Sequence, residues 1–460
     1  MEKGRTVSAI FLLLIIFLSA SAVLTHEEKW EIRDQEIRNT DFDDLNILFI
    51  TSEALRRDKL GYGKDDTTLT PNIDELAEES IRFNNAVSPS GSTIATFSTV
   101  FTSRYNFVDN VYDYGTHYFN HNLSLVSKLV EEGYEGLGVV PHPLLLEERG
   151  FGGHFEEYID RPFPRIREGV DDEHVKKIAE KYVFFPEYDV IKENFTEMTA
   201  DQVTENAKYL LEKRSEENNF FMWLHYFEPH NPYMPPEKEF VDHGTEDFNG
   251  SYSEEEYVAF INEMNLSERD IHELESLYDS EIRYMDYYIG ELLDYLNEEG
   301  LKEDTLIVFS SDHGECFGEG QIVGHSNIHD CSVEIPLTIY IPGEEGYDSP
   351  KPVSLIDLFP TFFDLLDIQT EQQLRGESMF KDFDGRRSFR YLSEDPQRRT
   401  FGISEWHQKN ERIILDRETD SSKEEIKEFI RDTSKEYANK STTTDVTNEE
   451  IQKRMEDIGY

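Results

Sequence analysis

The stretch Thr305-Leu306-Ile307-Val308-Phe309-Ser310-Ser311-Asp312-His313-Gly314-Glu315 carries the strongest structural and chemical signal in this chain. Its first part is an uncharged, mostly apolar run, as expected of a strand buried on both faces. Its second part sets a carboxylate and an imidazole side by side at the carboxyl end of that strand. Those two groups can reach a single divalent cation, and Gly314 is expected to let the backbone turn sharply there. Away from a strand end, the same pair would read as a turn with a surface histidine.

The same arrangement recurs along the sequence. Asn46 to Thr51 reads as a short buried strand and runs into Thr51-Ser52-Glu53-Ala54-Leu55-Arg56-Arg57-Asp58. Phe220 to Tyr226 reads as another and runs into His225-Tyr226-Phe227-Glu228-Pro229-His230-Asn231-Pro232-Tyr233. Gly136 to Val140 and Pro336 to Ile341 are further strands. Helical patterns lie between them: Pro71 to Ile81 with Thr70 as N-cap, Ile94 to Ser103, and a long one from Ser267 to Asn297. Such alternation predicts an α/β fold with a mostly parallel sheet covered by helices on both faces. Ligands in that architecture sit beyond the carboxyl ends of the strands. Residues 51–53, 225–230 and 311–315 should therefore converge on one site.

Each segment offers chemistry as well as a plainer reading. Glu53 is an oxygen ligand for a metal, and Arg56 could hold it or a substrate oxyanion, although a charged helix start would look the same. Thr93 opens a helix after Ser88-Pro89-Ser90-Gly91-Ser92. There it is either a cap or the centre of an anion site, and on a metal its hydroxyl becomes a nucleophile. His225 and His230 are candidates for binding an oxyanion, and His230 or His325 for protonating a leaving group. Any one of these histidines alone is more often structural.

Bulk properties bound the setting. With 460 residues the chain can form one large α/β domain and a smaller appendage. Its 96 acids against 45 bases give a net charge of −51, spread along the chain. Adaptation to a very salty medium is the reading we adopt, with an ordinary acidic surface as the alternative. Nucleic acid is excluded as a partner, since no basic surface exists to meet its phosphates. Lys3 and Arg5 precede an apolar segment, residues 7–24, that reads as a signal peptide or a retained signal anchor over residues 1–26. Either would place the protein outside the cytoplasm, secreted or attached to the cell membrane. Sequons at Asn122, Asn194, Asn249, Asn265 and Asn439 fit that location. Cys316 and Cys331 could pair in an oxidising compartment or remain two buried thiols. We read residues 40–375 as the catalytic domain and 380–460 as a small C-terminal subdomain or helical appendage.

Taken together, these segments resemble the sulfatase family of the alkaline phosphatase superfamily over roughly residues 44–370. The resemblance rests on Asn46 to Arg56, Thr70-Pro71-Asn72-Ile73-Asp74, Thr93 to Tyr105, Leu224-His225-Tyr226 through Pro236, Asp312-His313-Gly314-Glu315 and Gly324-His325. Glu449 to Tyr460 also resembles a common ending of the group. It implies an alkaline-phosphatase-like sandwich, with a large mixed, mostly parallel sheet between helices and a small C-terminal subdomain. It also implies one divalent metal ion (Mn, Zn, Ca or Mg) on Glu53, Thr93, Asp312 and His313, and an anionic ester substrate on a small molecule, glycan or lipid. Two positions depart from the family pattern. Thr93-Ile94-Ala95-Thr96-Phe97 stands where sulfatases carry Cys/Ser-x-Pro/Ala-x-Arg, so no formylglycine can form and Phe97 replaces the arginine. The Glu, Thr, Asp, His set is similar to that of the phosphoethanolamine and phosphoglycerol transferases, which form a phospho-threonine. Three functions follow as expectations: an ester hydrolase using Thr93, an envelope transferase, and a non-catalytic sulfatase-like binding protein.

Overall fold

The computed structural model describes residues 26–38, 40, 42, 45–62, 69–105, 124–161, 198–231, 233, 240, 268–319, 322–325 and 327–382, and strands at 386–392, 401–407 and 411–415. The apolar segment at 7–24, the sequons and the stretch from Ser421 to Tyr460 lie outside these residues. So do Pro232 and Pro236. Among the described residues, no helix is long and apolar enough to cross a membrane.

Ten strands fall before residue 360: β1 (Asn46–Ser52), β2 (Ile81–Val87), β3 (Glu135–Val139), β4 (Glu157–Ile159), β5 (Phe220–Tyr226), β6 (Thr305–Ser311), β7 (Cys316–Phe317), β8 (Val323–Gly324), β9 (Leu337–Tyr340) and β10 (Tyr347–Ser354). Eight of them form one sheet in the order β10-β2-β9-β6-β1-β5-β3-β4. Only β9 runs against the others, pairing antiparallel with both β6 and β2. Later in the chain, β11 (Arg386–Leu392), β12 (Phe401–His407) and β13 (Glu411–Leu415) make a small antiparallel sheet.

Both faces of the large sheet are covered, which is why its central strands read as continuous apolar runs. Alternate residues of β1, β5 and β6 supply the two cores. Phe49, Trp223 and Val308 face α3 (Thr93–Thr102) and α8 (Leu358–Leu365), where they meet Phe97, Phe101 and Phe359. Ile50, Leu224 and Phe309 face α2 (Pro71–Glu78), α5 (Ala200–Lys213) and α6 (Glu268–Glu298). A large side chain removed from water in this way contributes about 1.5–3 kcal/mol. The remaining helices are α1 (His26–Arg38), α4 (Leu125–Glu131) and α7 (Asp330–Val333).

Two local readings are corrected. The helix from Pro71 stops at Glu78, and Ile81 instead opens β2. Thr70 is its N-cap, but its side chain makes no capping bond. The free N–H groups of Asn72 and Ile73 go instead to the buried carboxylate of Asp286 on α6, at 3.1 and 2.8 Å. A distant carboxylate thus caps α2 and ties it to the long helix.

Candidate active site

Strand register brings the three predicted segments together. Thr51 pairs with His225 on one side and Ser310 on the other, and Ser52 with Tyr226 and Ser311. Glu53 and Asp312 are therefore the first residues past the ends of adjacent parallel strands. Their backbones remain tethered, with Glu53 N–H donating to Tyr226 O at 2.9 Å and Asp312 N–H to Ser52 O at 3.2 Å.

The turn after Glu53 is held under strain. Ala54 has φ +54°, a left-handed conformation that costs an alanine about 1–2 kcal/mol. Its N–H donates to Asp312 Oδ1 at 3.0 Å and its carbonyl accepts from Tyr278 Oη at 2.7 Å. Asp312 Oδ1 also accepts from His313 N–H at 2.7 Å. The Asp312 carboxylate is thereby oriented by the backbone before any ligand arrives. Gly314, expected to permit a sharp turn, has no left-handed φ. It is needed because a Cβ there would lie 2.2 Å from the Cys331 carbonyl oxygen.

Glu53, Asp312 and His313 are fully buried and present ligand atoms within 4.8 Å of one another. Thr93, at the first turn of α3, points its Oγ1 at Glu53 Oε1 (2.6 Å) and lies 3.4 Å from His313 Nε2. His313 Nε2 is 3.2 Å from Glu53 Oε1 and 3.5 Å from Asp312 Oδ2. Asp312 Oδ2 is buried without a hydrogen-bond partner. Two buried carboxylates, an imidazole, a hydroxyl and an orphaned oxygen are the donor set a divalent cation takes, so these residues fit the expected metal.

Electrostatics point the same way. Burial opposes charge on Glu53, but His142, and then hydrogen bonds from His225 and His313, outweigh it and hold its carboxyl well below the usual range. Burial, and then the Glu53 charge, push Asp312 up. Burial also opposes charge on His313, yet Asp312 and Glu53 prevail and raise it to about 10. The two carboxylates thus demand a positive charge between them, and a cation would meet that demand in place of the His313 proton.

The remaining predicted residues divide. His325 and His230 reach the site: the His325 ring lies 4.6 Å from His313 and 5.1 Å from His230. His325 Nδ1 is held by the buried Glu315 carboxylate at 3.1 Å. Burial, and then His325, lower His230 to about 4, so it is neutral near pH 7. His225 and Arg56 differ from expectation. His225 is fully buried, with Nε2 2.7 Å from Glu53 Oε2, so its ring is already engaged by that carboxylate. The Arg56 guanidinium is bound by Asp58 (2.8 Å), Glu319 (2.5 Å) and the Glu315 carbonyl (3.1 Å), and makes no hydrogen bond to Glu53. A short i, i+2 carboxylate outcompetes a more distant one. Phe97 packs on His225 and Trp223 with ring centroids 5.0 and 4.8 Å away.

His142 was missed in the sequence. It follows β3, and its Nε2 lies 3.7 Å from Glu53 Oε2; burial lowers it to about 3. The strand-end rule that found the other segments would have found it at Val140-Pro141-His142. Cys316 and Cys331 are joined as a disulfide, which also excludes them as metal ligands with Glu319.

Comparison with known proteins agrees with this geometry. The Sulfatase family model matches residues 45–368. An ulvan-active sulfatase of Formosa agariphila is 25% identical over 344 residues, covering 73% of this chain and 64% of its own, so the match spans less than two thirds of that relative. Iduronate 2-sulfatase of Homo sapiens is 26% identical, covering 78% of this chain and 76% of its own. A multifunctional alkaline phosphatase superfamily protein, PehA, of Trinickia caryophylli is 25% identical, with 73% and 76% covered. Among solved structures, BT4656 in complex with its substrate D-glucosamine-2-N,6-O-disulfate superposes with a TM-score of 0.61 at 17% identity, covering 87% of this chain and 99% of that one. A phosphonate monoester hydrolase from Silicibacter pomeroyi gives 0.59 at 17%, covering 88% and 97%. Both carry the same fold, a mixed sheet between helices of the alkaline-phosphatase-like kind.

Proposed function

This chain belongs to the sulfatase family of sulfuric and phosphoric ester hydrolases, and from that premise we propose a metal-dependent ester hydrolase in which Thr93 is the nucleophile. The observation that carries the proposal is the Thr93 Oγ1 hydroxyl, 2.6 Å from Glu53 Oε1 at the edge of the Glu53, Asp312 and His313 cluster. Those three residues and Thr93 would hold one divalent cation, which would supply Lewis-acid polarisation and a lowered hydroxyl pKa. Thr93 Oγ1, its proton lost to solvent, forms a bond to sulfur or phosphorus as the bond to the leaving oxygen breaks. The leaving oxygen takes a proton from His325, which Glu315 orients through Nδ1. Neutral His230 beside it positions the ester oxygens. Water, deprotonated by His325, then attacks the esterified Thr93; the acid or phosphate is released and the Thr93 proton returns.

Phosphorus suits this route better than sulfur. A phospho-threonine can be attacked again at phosphorus, whereas the elimination open to formylglycine is closed to Thr93. The multifunctional relative and the phosphonate monoester hydrolase neighbour support that preference. The ulvan-active and glucosamine-disulfate relatives support a glycan or small-molecule ester. The location proposed is outside the cytoplasm, supported by the Cys316–Cys331 disulfide.

The test is a panel of aryl sulfate, phosphate monoester and phosphodiester against Mn, Zn, Mg and Ca. Phosphoester turnover should exceed sulfate turnover, and Thr93→Ala should reduce it by at least about 10³-fold. A mass gain of about 80 Da on Thr93 should appear during turnover. Wild-type activity in Thr93→Ala would overturn the nucleophile. Transfer to an added alcohol in preference to water would shift the assignment to the transferase branch.

A further inference from the structure

Behind Glu53 lies a chain of buried polar side chains that the hydrolytic steps do not use. Trp223 Nε1–H donates to Thr51 Oγ1 at 3.0 Å. Thr51 Oγ1 lies 3.0 Å from His225 Nδ1 and 2.9 Å from the Leu224 carbonyl. His225 Nε2 reaches Glu53 Oε2 at 2.7 Å, and Glu53 Oε1 accepts from Thr93 Oγ1 at 2.6 Å. Each of these five side chains is at most 5% exposed.

Donor counting makes the order of this chain one-directional. Trp223 can only donate, so Thr51 Oγ1 must accept from it. Glu53 is held as a carboxylate and can only accept, so His225 must carry hydrogen on Nε2. Thr51 owns a single proton. It lies between His225 Nδ1 at 3.0 Å and the Leu224 carbonyl at 2.9 Å; donated to Nδ1, it holds the ring with its Nε2–H directed at Glu53. Geometry also forbids another outlet for the ring. Phe97 stands edge-to-face on His225 at 5.0 Å and 82°, closing one side of the ring with an apolar wall. Thr51 and His225 are register partners on β1 and β5, so the sheet itself fixes their spacing.

We propose that Thr51, braced by Trp223, is a positioning residue: it locks His225 on Glu53 Oε2 and so reserves Glu53 Oε1 for Thr93 and the metal. Phe97 takes part by packing against both His225 and Trp223. This inference rests on the proposed hydrolase reading but acts one layer behind it. Supports of this kind commonly alter metal affinity or activity by about 10–100-fold when removed.

Three variants test it: Thr51→Val, which deletes the hydroxyl at constant shape; Thr51→Ser, which restores it; and Trp223→Phe, which removes the N–H from the far end. Readouts are Mn(II) affinity by competition with a chromophoric chelator, kcat and KM on the best ester of the panel, and the ¹⁵N signals of the His225 ring. Thr51→Val should weaken Mn(II) binding and kcat by about 10–100-fold with KM changed by less than about threefold. The Nδ1 signal of the His225 ring should shift as its hydrogen-bond partner is removed. Thr51→Ser should recover all three, and Trp223→Phe should fall between, which also serves if Thr51→Val does not fold. An unchanged His225 ring with Mn(II) affinity within about twofold of wild type in Thr51→Val would overturn the proposal, as would Thr51→Ser failing alongside it. Should Thr93→Ala retain activity, the nucleophile reading falls, while the His225 signals and Mn(II) affinity still judge the role of Thr51.

Discussion

At the scale of single residues, the least compensated acid beside the site is Glu228. Its Oε1 accepts from Ala200 N–H at 2.9 Å, but its Oε2 is buried with no hydrogen-bond partner. Burial pushes the carboxyl from 4.5 up to about 7. A raised carboxyl favours the protonated native state, so the sign is the reverse of a salt-bridged acid. Below the unfolded pKa both states are protonated and nothing is lost. Between about pH 4.5 and 7 the unfolded chain ionises first, and native stability declines. Glu228→Gln should remove that decline. Relative to the variant, the wild type should lose about 2–3 kcal/mol between pH 4.5 and 8, measured by urea unfolding at each pH. Parallel pH profiles would show that Glu228 does not titrate across this range. Residue-level legibility followed the same logic of position. Glu53, Thr93, Asp312 and His313 could be read because each sits at a strand end or helix start. His225 and Arg56 were assigned to substrate because a sequence shows that a side chain is polar, not which neighbour has already claimed it.

Among the elements, the clearest unit is the loop closed by the Cys316–Cys331 disulfide, which spans 15 residues and carries His325. One end anchors at β7, just past Glu315; the other lies in α7. Gly314 N–H donates to Ser332 O at 2.8 Å, so α7 is pressed on the turn that presents Asp312 and His313. Closing a loop of this length is worth about 3 kcal/mol. Replacing both cysteines by serine should lower stability by about that amount in urea titrations. Activity should fall while Mn(II) affinity is retained, because Glu53, Asp312 and His313 lie outside the closed loop. Lost metal binding with His325-dependent turnover intact would refute this division of labour. Elements were legible where both faces of a strand are buried, as in β1, β5 and β6, whose runs contain no charge. Strands β2 and β10 escaped notice for physical reasons. Arg82 and the two asparagines of β2 read as polar, yet Arg82 is neutralised by Asp348, its register partner on β10, at 2.8 Å. Pro350 and Pro352 of β10 would break a central strand, but β10 is an edge, and the ladder slips between Ser349 and Pro352.

Across the molecule, cations among the described residues hold elements together. Lys351, 2% exposed, meets Asp34 of α1 at 2.5 Å and the carbonyls of Met379 and Lys381 at 2.7 and 2.9 Å, fastening α1 to the β10 edge. Lys59 bridges Glu275 and Asp279 of α6 at 2.8 and 2.7 Å. With 45 bases for 96 acids, many carboxylates have no cation of their own and repel one another across the surface. That repulsion destabilises the compact state and also opposes the approach of an anionic ester. Salt should relieve both effects. Between 0.1 and 1 M the Debye length falls from about 10 Å to 3 Å, shorter than the spacing of most surface charges. The thermal midpoint should therefore rise with sodium chloride over this interval. The value of kcat/KM for an anionic ester should rise with it, whereas a neutral ester of the same leaving group should show only the stability effect. A midpoint that is flat or falling with salt would mean that the acidic surface is already compensated at low ionic strength. If only the anionic ester failed to respond, the field at the site mouth would be set locally by the metal centre and not by the net charge of −51.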